Sequence, residues 1–424
     1  MTATGWTRPC GPSSTPTWST ARRSSAVKFT IDAKAFADTI AWIARVLPSR
    51  PPVPVLAGIK VTATGGGVEL AGFDYQVSAR ADLEAEVHQA GEALMSGRLL
   101  SDIARLLPAG PVQVVVENAT CTLTTPHTTH TLLLMPTEDY PSLPEPPAEA
   151  GRIDAAAFTT AITQVTVAAG HDPTLPVLTG VWIELDSEKV IFAATDRFRL
   201  AVAAQPWTVT GQRGEDTLLV PAATLADLAK HLPGGADQLA LGITRDGEAN
   251  PVGLSITAGR RVLHTSLVDA KFIAWRKVLA TSLVWSVVTD TLALATAVRR
   301  VAVVAERLAP VRLHCVPGDT GRDDGKLELR ASTGDAASAR ETLSARVVAD
   351  QPIDIAFNPG YLLDALTTTG TPQVCMRGST DKPVLLLSMP TGASSEDIPV
   401  SLPDAGEPLP GQHRHLLMPI RLTG

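Results

Sequence analysis

Hydrophobic and polar positions alternate with a period of two through 53–80, VPVLAGIKVTATGGGVELAGFDYQVSAR, and again through 175–202, LPVLTGVWIELDSEKVIFAATDRFRLAV. Alternation broken by polar turn residues (Gly65-Gly66-Gly67; Asp186-Ser187-Glu188) predicts two-stranded hairpins. A fainter third copy spans 309–340, APVRLHCVPGDTGRDDGKLELRASTGDAASAR. Ahead of each hairpin the period changes to three and four. DAKAFADTIAWIARVL follows Ile31, DAAAFTTAITQVTVAAG follows Ile153 and DTLALATAVRRVAVVAERL follows Thr289. Each predicts an amphipathic helix opened by an aspartate suited to cap its first turn. Behind each hairpin comes a second helical pattern: SGRLLSDIARLLP (96–108), PAATLADLAKHLP (221–233) and NPGYLLDALTTTG (358–370). Asp102, Asp227 and Asp364 occupy one position in it, and Leu100, Leu225 and Leu362 another.

Helix, hairpin and helix recurring three times in one order is the signature of an internal triplication. The proline-rich stretch EDYPSLPEPPAEAG (138–151) cannot continue a helix or a central strand and separates the first two copies, while RKVLATS (276–282) is a weaker boundary. Three α+β modules are therefore expected at 27–140, 150–278 and 283–424. Residues 1–26, rich in Ser, Thr and Pro and without an acidic residue, differ from the rest and read as a disordered tail or a start set too far upstream. They lack the apolar block of a secretory signal.

With 424 residues the chain has room for two to four domains, and 45% hydrophobic residues supply their cores. Aromatics are only 4%, so the packing is mainly aliphatic. The net charge of −7 argues against a large phosphate-neutralising patch; any contact with nucleic acid must be local or geometric. Cys10, Cys121, Cys315 and Cys375 lie far apart and read as reduced thiols of a cytoplasmic protein. No run of apolar residues reaches the length of a membrane span. Neither a metal nor another cofactor is expected. His127 and His130 of HTTH have no third ligand at suitable spacing, and a metal-dependent enzyme is only a distant alternative. GDTGRDDGK (318–326) fails as a phosphate loop because Leu327 stands where Ser or Thr is required, and it reads as a loose hairpin turn. No catalytic set of Ser, His and Asp is evident.

The remaining puzzle is AATDRFRLAV (193–202), where Asp196, Arg197 and Arg199 interrupt an apolar run; uncompensated charge there is costly. Together with RPPVPVLAGI (50–59), LPVLTGV (175–181), VDAKFIAWRKVL (268–279), AFNPGYLLDAL (356–366) and the terminal HLLMPIRL (415–422), this segment makes the chain resemble the bacterial DNA polymerase III beta subunit, the replicative sliding clamp. The resemblance covers everything but the tail. It implies three clamp modules per chain and a head-to-tail homodimer that closes into a six-module ring around duplex DNA, with helices inside and sheets outside. It implies a processivity factor, not an enzyme. The partners it implies are double-stranded DNA held by topology, a second copy of the chain, and the polymerase III alpha subunit. Clamp-loader subunits and repair polymerases would also dock by a short peptide, and a peptide inhibitor could take the same place.

The resemblance places a peptide groove between the second and third modules, at Leu178, Thr195, Arg197, Arg199, Leu200, Lys277, Val278, Asn358, Tyr361, Pro383, Met418, Pro419, Ile420 and Arg421. Leu178, Leu200, Val278 and Ile420 would supply apolar floor, and Tyr361, Asn358 and the arginines orienting hydrogen bonds. Asp196 is expected to neutralise an arginine or cap the turn. Arg45, Arg98, Arg105, Lys230, Arg299 and Arg300 on the helices, with Arg50 in a turn, are the candidates for facing DNA. Some positions depart from the family's usual pattern: Arg197 stands where glycine is common, Ile273 where Phe-Pro is common, Lys277 where arginine is frequent, and Pro176 and Val177 where some members place aromatics. The alternative these departures raise is an additional clamp copy whose altered groove confers resistance to a clamp-binding inhibitor.

Overall fold

The computed structural model describes residues 26–421 apart from 212–215, 233, 280–282, 306–308, 320–323, 334–336, 380–381 and 390–406. The tail through residue 25, the centre of the 318–326 turn and Leu422 of the terminal motif lie outside the described residues.

The helices α1 (Ala33–Ile43), α3 (Ala155–Thr166) and α6 (Thr291–Ala302) are the first helices of the three repeats. Their caps are equivalent: Asp32 accepts the Ala35 N–H at 2.9 Å, Asp154 that of Ala157 at 2.8 Å and Asp290 that of Ala293 at 2.7 Å. One orphan donor of each first turn is thereby satisfied. The apolar pattern beyond Ile43 continues as a 3-10 turn, Ala44–Val46, instead of α-helix. The second helices are α2 (Gly97–Ala104), α4 (Ala222–Lys230) and, after the short connector helix α5 (Trp275–Leu279), α7 (Pro359–Thr368). Within each repeat the two long helices pack on one another, and the first of them on the strands.

Each repeat holds two antiparallel sheets of four principal strands. In the first, Gly58–Thr64, Gly67–Phe73, Val77–Leu83 and Gly91–Ser96 form one, and Val27–Asp32, Pro111–Glu117, Thr120–Thr124 and Thr129–Met135 the other. The second and third repeats copy this plan, and the repeats are joined strand to strand. Val77–Ala81 pairs with Arg261–Thr265, uniting a sheet of the first repeat with one of the second. Arg199–Ala203 pairs with His413–Leu417, uniting the second with the third. The backbone polar groups of four strand edges are thus paired inside the chain, where they would otherwise be sticky.

One apolar core runs through the first two repeats and includes Phe29, Phe36, Phe158 and Phe192. A second fills the third repeat around Leu294, Leu327, Phe357 and Leu362. A smaller cluster lies where the connector crosses the sheet of the second repeat: Phe272, Trp275 and Leu279 cover Ile191, Leu200 and Leu219 and meet Leu385 and Leu416 of the third. That cluster positions the candidate site.

Candidate peptide-binding groove

The site begins at the hairpin tip after Thr195. The Thr195 hydroxyl donates to the Arg199 carbonyl at 2.7 Å and accepts the Arg197 N–H at 3.1 Å. One Asp196 oxygen accepts the N–H groups of Phe198 and Arg199 at 2.9 and 3.0 Å, and the other accepts Arg199 Nε at 2.9 Å. The aspartate therefore both caps the tip and neutralises its neighbour. In this tight turn Arg197 sits at φ +80°, a left-handed conformation that suits glycine.

Arg199 is only 7% exposed, and its charge is met twice. Besides Asp196, its Nη1 donates to Asp364 of α7 at 2.6 Å, and the guanidinium lies 4.4 Å from the centre of the Tyr361 ring. Phe198 stacks on the other part of this shelf, its ring centroid 6.3 Å from that of Tyr361. Asn358 caps α7, accepting the Gly360 and Tyr361 N–H groups at 2.9 and 3.3 Å, and so sets where the Tyr361 ring begins. The C-terminal segment closes the opposite wall. Strand His413–Leu417 pairs with Arg199–Ala203. The Met418 N–H then donates to the Phe198 carbonyl at 2.8 Å, and that of Ile420 to Ala356 at 2.8 Å.

Leu178 and Leu200 are buried, whereas Val278, Met418 and Ile420 are exposed apolar groups, Met418 at 46%. Lys277 and Arg421 are exposed, and Pro383 and Pro419 half-buried. The structure thus gathers the hairpin tip, the start of α7 and the segment 418–420 into one surface through direct contacts. Leu200 joins it to the connector carrying Lys277 and Val278, through Trp275 and Leu279. Pro383 adjoins Val384, which pairs with Leu417. Among the described residues the arrangement has no nucleophile beside a base; it offers an apolar strip rimmed by oriented donors, which suits an extended chain with apolar anchors.

Models of the DNA polymerase III beta subunit match most of the chain: the N-terminal domain over 27–144, the central domain over 152–273 and the C-terminal domain over 276–400. The chain belongs to this family. It is 38% identical to the beta sliding clamp of Streptomyces coelicolor over 399 residues, covering 94% of this chain and 100% of that protein. To the beta sliding clamp of Micrococcus luteus it is 43% identical over 318 residues, 75% of this chain and 98% of the other. A beta sliding clamp homolog of Streptomyces muensis, GriR, is 33% identical over 93% of this chain and 99% of its own. The fold is that of solved sliding clamps, with a TM-score of 0.81 to that of Bacillus subtilis at 21% identity, covering 94% of this chain and 100% of the other. The Pseudomonas aeruginosa clamp bound to griselimycin scores 0.80 at 24% identity over 94% and 100% of the two chains. The function is accordingly that of a sliding clamp in DNA replication.

Within this beta subunit the basic residues named for DNA differ in their surroundings. Arg45 follows α1 and makes a bidentate pair with Asp227 of α4, at 2.7 and 2.5 Å. Arg300 pairs with Glu341, and Arg105 with Asp102 at 3.0 Å. Arg50, Arg98, Lys230 and Arg299 are exposed. His127 lies in the turn before strand Thr129–Met135, and His130 on it. Among the described residues no helix is long and apolar enough to cross a membrane. Two groups of the site escaped the sequence reading: Phe198, and Asp364 as the acceptor for Arg199. The recurrence of aspartate at 102, 227 and 364 was a usable signal for the second; Phe198 stood in plain view in the motif, with nothing to say that its ring faces Tyr361.

Proposed function

We propose that two copies of this chain join head to tail into a ring that encircles duplex DNA, and that the surface around Arg199, Tyr361 and Met418 is the groove by which polymerase and loader subunits dock a short peptide. The three-fold repetition of the seam-forming strands supports the ring. Within the repeats, Val77–Ala81, Arg199–Ala203 and Ala337–Glu341 are equivalent by ladder register, as are Thr128–Leu132, Arg261–Thr265 and His413–Leu417. Two of the three possible seams are made within the chain, and their strands are mostly buried. The third pair, Ala337–Glu341 and Thr128–Leu132, belongs to opposite ends of the molecule, and both its strands are largely exposed. Large apolar side chains are bare on these end repeats as well, Leu133 at 77% and Val303 at 82%. A second copy completes the seam at both ends, which is the closure a heterologous contact needs to avoid growing into a filament.

A ring of this kind tethers partners without catalysing anything itself and retains DNA by linkage, which accommodates the negative net charge of −7. Loading on circular DNA followed by linearisation tests it. The protein should stay on the circle and leave cut ends regardless of sequence, whereas retention after cutting would show ordinary binding. For the groove, a peptide from a polymerase tail should lose affinity for Arg199→Ala and Met418→Ala; unchanged affinity would refute the assignment. The accessory-copy reading has Arg197 in its favour. Against it, identity is higher to the Streptomyces coelicolor clamp than to GriR over nearly the same span, 38% against 33%. A second, more typical clamp gene in the same genome would reverse that preference.

A further inference from the structure

Arg276 stands in α5, directly before Lys277 and Val278, and its whole fork is engaged. Nη1 and Nη2 donate to Glu184 at 2.9 and 2.7 Å, and Nε donates to Glu407 at 2.8 Å. Its guanidinium also lies 4.3 Å from the centre of the buried Trp275 ring. The second Glu407 oxygen accepts Lys189 Nζ at 2.6 Å. Glu184 and Lys189 belong to the hairpin of the second repeat (strands Gly180–Leu185 and Lys189–Thr195), whereas Glu407 belongs to the C-terminal segment of the third. A single carboxylate therefore ties that segment both to the connector helix and to the sheet beneath it.

We propose that Glu407, held by Arg276 and Lys189, is a positioning residue that sets the two walls of the groove at the spacing a docked peptide needs; the inference rests on the groove reading above. One wall, Lys277 and Val278, follows Arg276 in the same short helix. The other, Met418 to Arg421, follows Glu407 along a segment clamped at Gly411 and Gln412 to Ala204 and then paired to Arg199–Ala203. Two cations and two anions balance in the network, and the side chains of Glu407, Lys189 and Glu184 are only 25%, 19% and 23% exposed, so solvent screens them less than surface pairs. Burial pushes the Glu407 carboxyl upward, but the bonds from Arg276 and Lys189 outweigh it and hold it below the ordinary range, so the strap is ionised at neutral pH. A groove held at its bound spacing before the ligand arrives avoids the cost of ordering it on binding.

The test uses the full-length dimer and a polymerase-tail peptide. Glu407→Gln, which keeps the shape and removes the charge, is expected to weaken peptide binding about threefold to tenfold, the usual scale for one coupled charge pair, and to flatten its dependence on salt. Lys189→Met should weaken it too, and the double variant should be little worse than either single one. Glu407→Asp, which keeps the charge, should recover affinity, a response that general loosening of the fold would not produce. Retention on circular DNA should be unchanged throughout. Peptide affinity within twofold of the parent in Glu407→Gln, or strictly additive losses, would overturn the proposal. If Met418→Ala and Arg199→Ala abolish binding in the same series, that failure is the strap's alone; if they too are silent, the groove reading has failed.

Discussion

Asp364 receives Arg199 of the preceding repeat at 2.6 Å, and Asp227, at the same position of its own helix, receives Arg45 of the repeat before that. Equivalent acids thus take an arginine across both internal junctions, although the arginines come from different elements: one follows a helix, the other sits on a hairpin. Asp102, the third member, belongs to the repeat with no predecessor in the chain, and its observed partner is Arg105 of its own helix end.

Arg199→Ala removes a nearly buried cation with two carboxylate partners. It should lower stability by about 1–3 kcal/mol, because Asp196 is left part-buried without its cation, and reduce peptide affinity by roughly tenfold or more. Asp364→Asn should do much less to stability, its side chain being 47% exposed. Thermal unfolding alongside fluorescence anisotropy of a labelled peptide separates the two effects, and equal behaviour of the two variants would contradict the geometry.

The register of the ring-closing seam follows from the two internal ones. Val262 pairs with Arg80 and Arg414 with Val202, so Thr129 is expected opposite Arg340 of the second copy, and His130 opposite Ala339. Cysteines placed at His130 and Ala339 in a Cys10→Ser background should oxidise to a covalent dimer, since directly opposed strand residues approach disulfide spacing. The described native thiols, Cys121, Cys315 and Cys375, are buried and pushed up to about 12, which keeps them out of the reaction. A covalent dimer appearing equally with a cysteine shifted two residues along either strand would refute the register.

Replacing Arg197 by glycine relieves a left-handed residue at φ +80°. A gain of about 1 kcal/mol is expected, the steric penalty of roughly 1–2 kcal/mol being partly offset by the extra freedom of glycine when unfolded. The same change clears bulk and charge from the groove edge, so peptide affinity should shift as well. A lower melting temperature would mean that the Arg197 side chain contributes contacts worth more than the strain.

Burial pushes the His413 imidazole down to about 4, and burial, then His413 and Arg199, hold that of His415 well below its ordinary value. Both are neutral in the fold, while the unfolded chain takes up protons near the ordinary value of about 6.5. The unfolded state therefore binds more protons between about pH 6.5 and 4, and stability falls as pH drops through that window, by up to about 1.4 kcal/mol per unit for each ring. Melting temperature should decline from pH 6.5 downward, and His413→Asn should flatten the slope. An unaltered slope in that variant would assign the acid sensitivity to other groups.

Much of this was legible before any coordinates. Apolar periodicity marked the helices and hairpins, and the aspartates at 32, 154 and 290 announced their caps, because a cap is made within one turn of chain. The AATDRFRLAV motif announced a charge in need of partners. Asp196, three residues away, was identifiable from spacing alone. Asp364 was not, since the bond that joins it to Arg199 spans 165 positions and depends on how one repeat leans on the next.

By itself, then, the sequence determined what is local and repeated: period, caps, turns, and a plan written three times. Tertiary structure alone decided which edges meet. It put Arg45 on Asp227, aimed Phe198 at Tyr361 and brought Glu407 to Arg276, because those choices belong to the packing of distant surfaces, where many partners are chemically acceptable and the burial of two cores selects one.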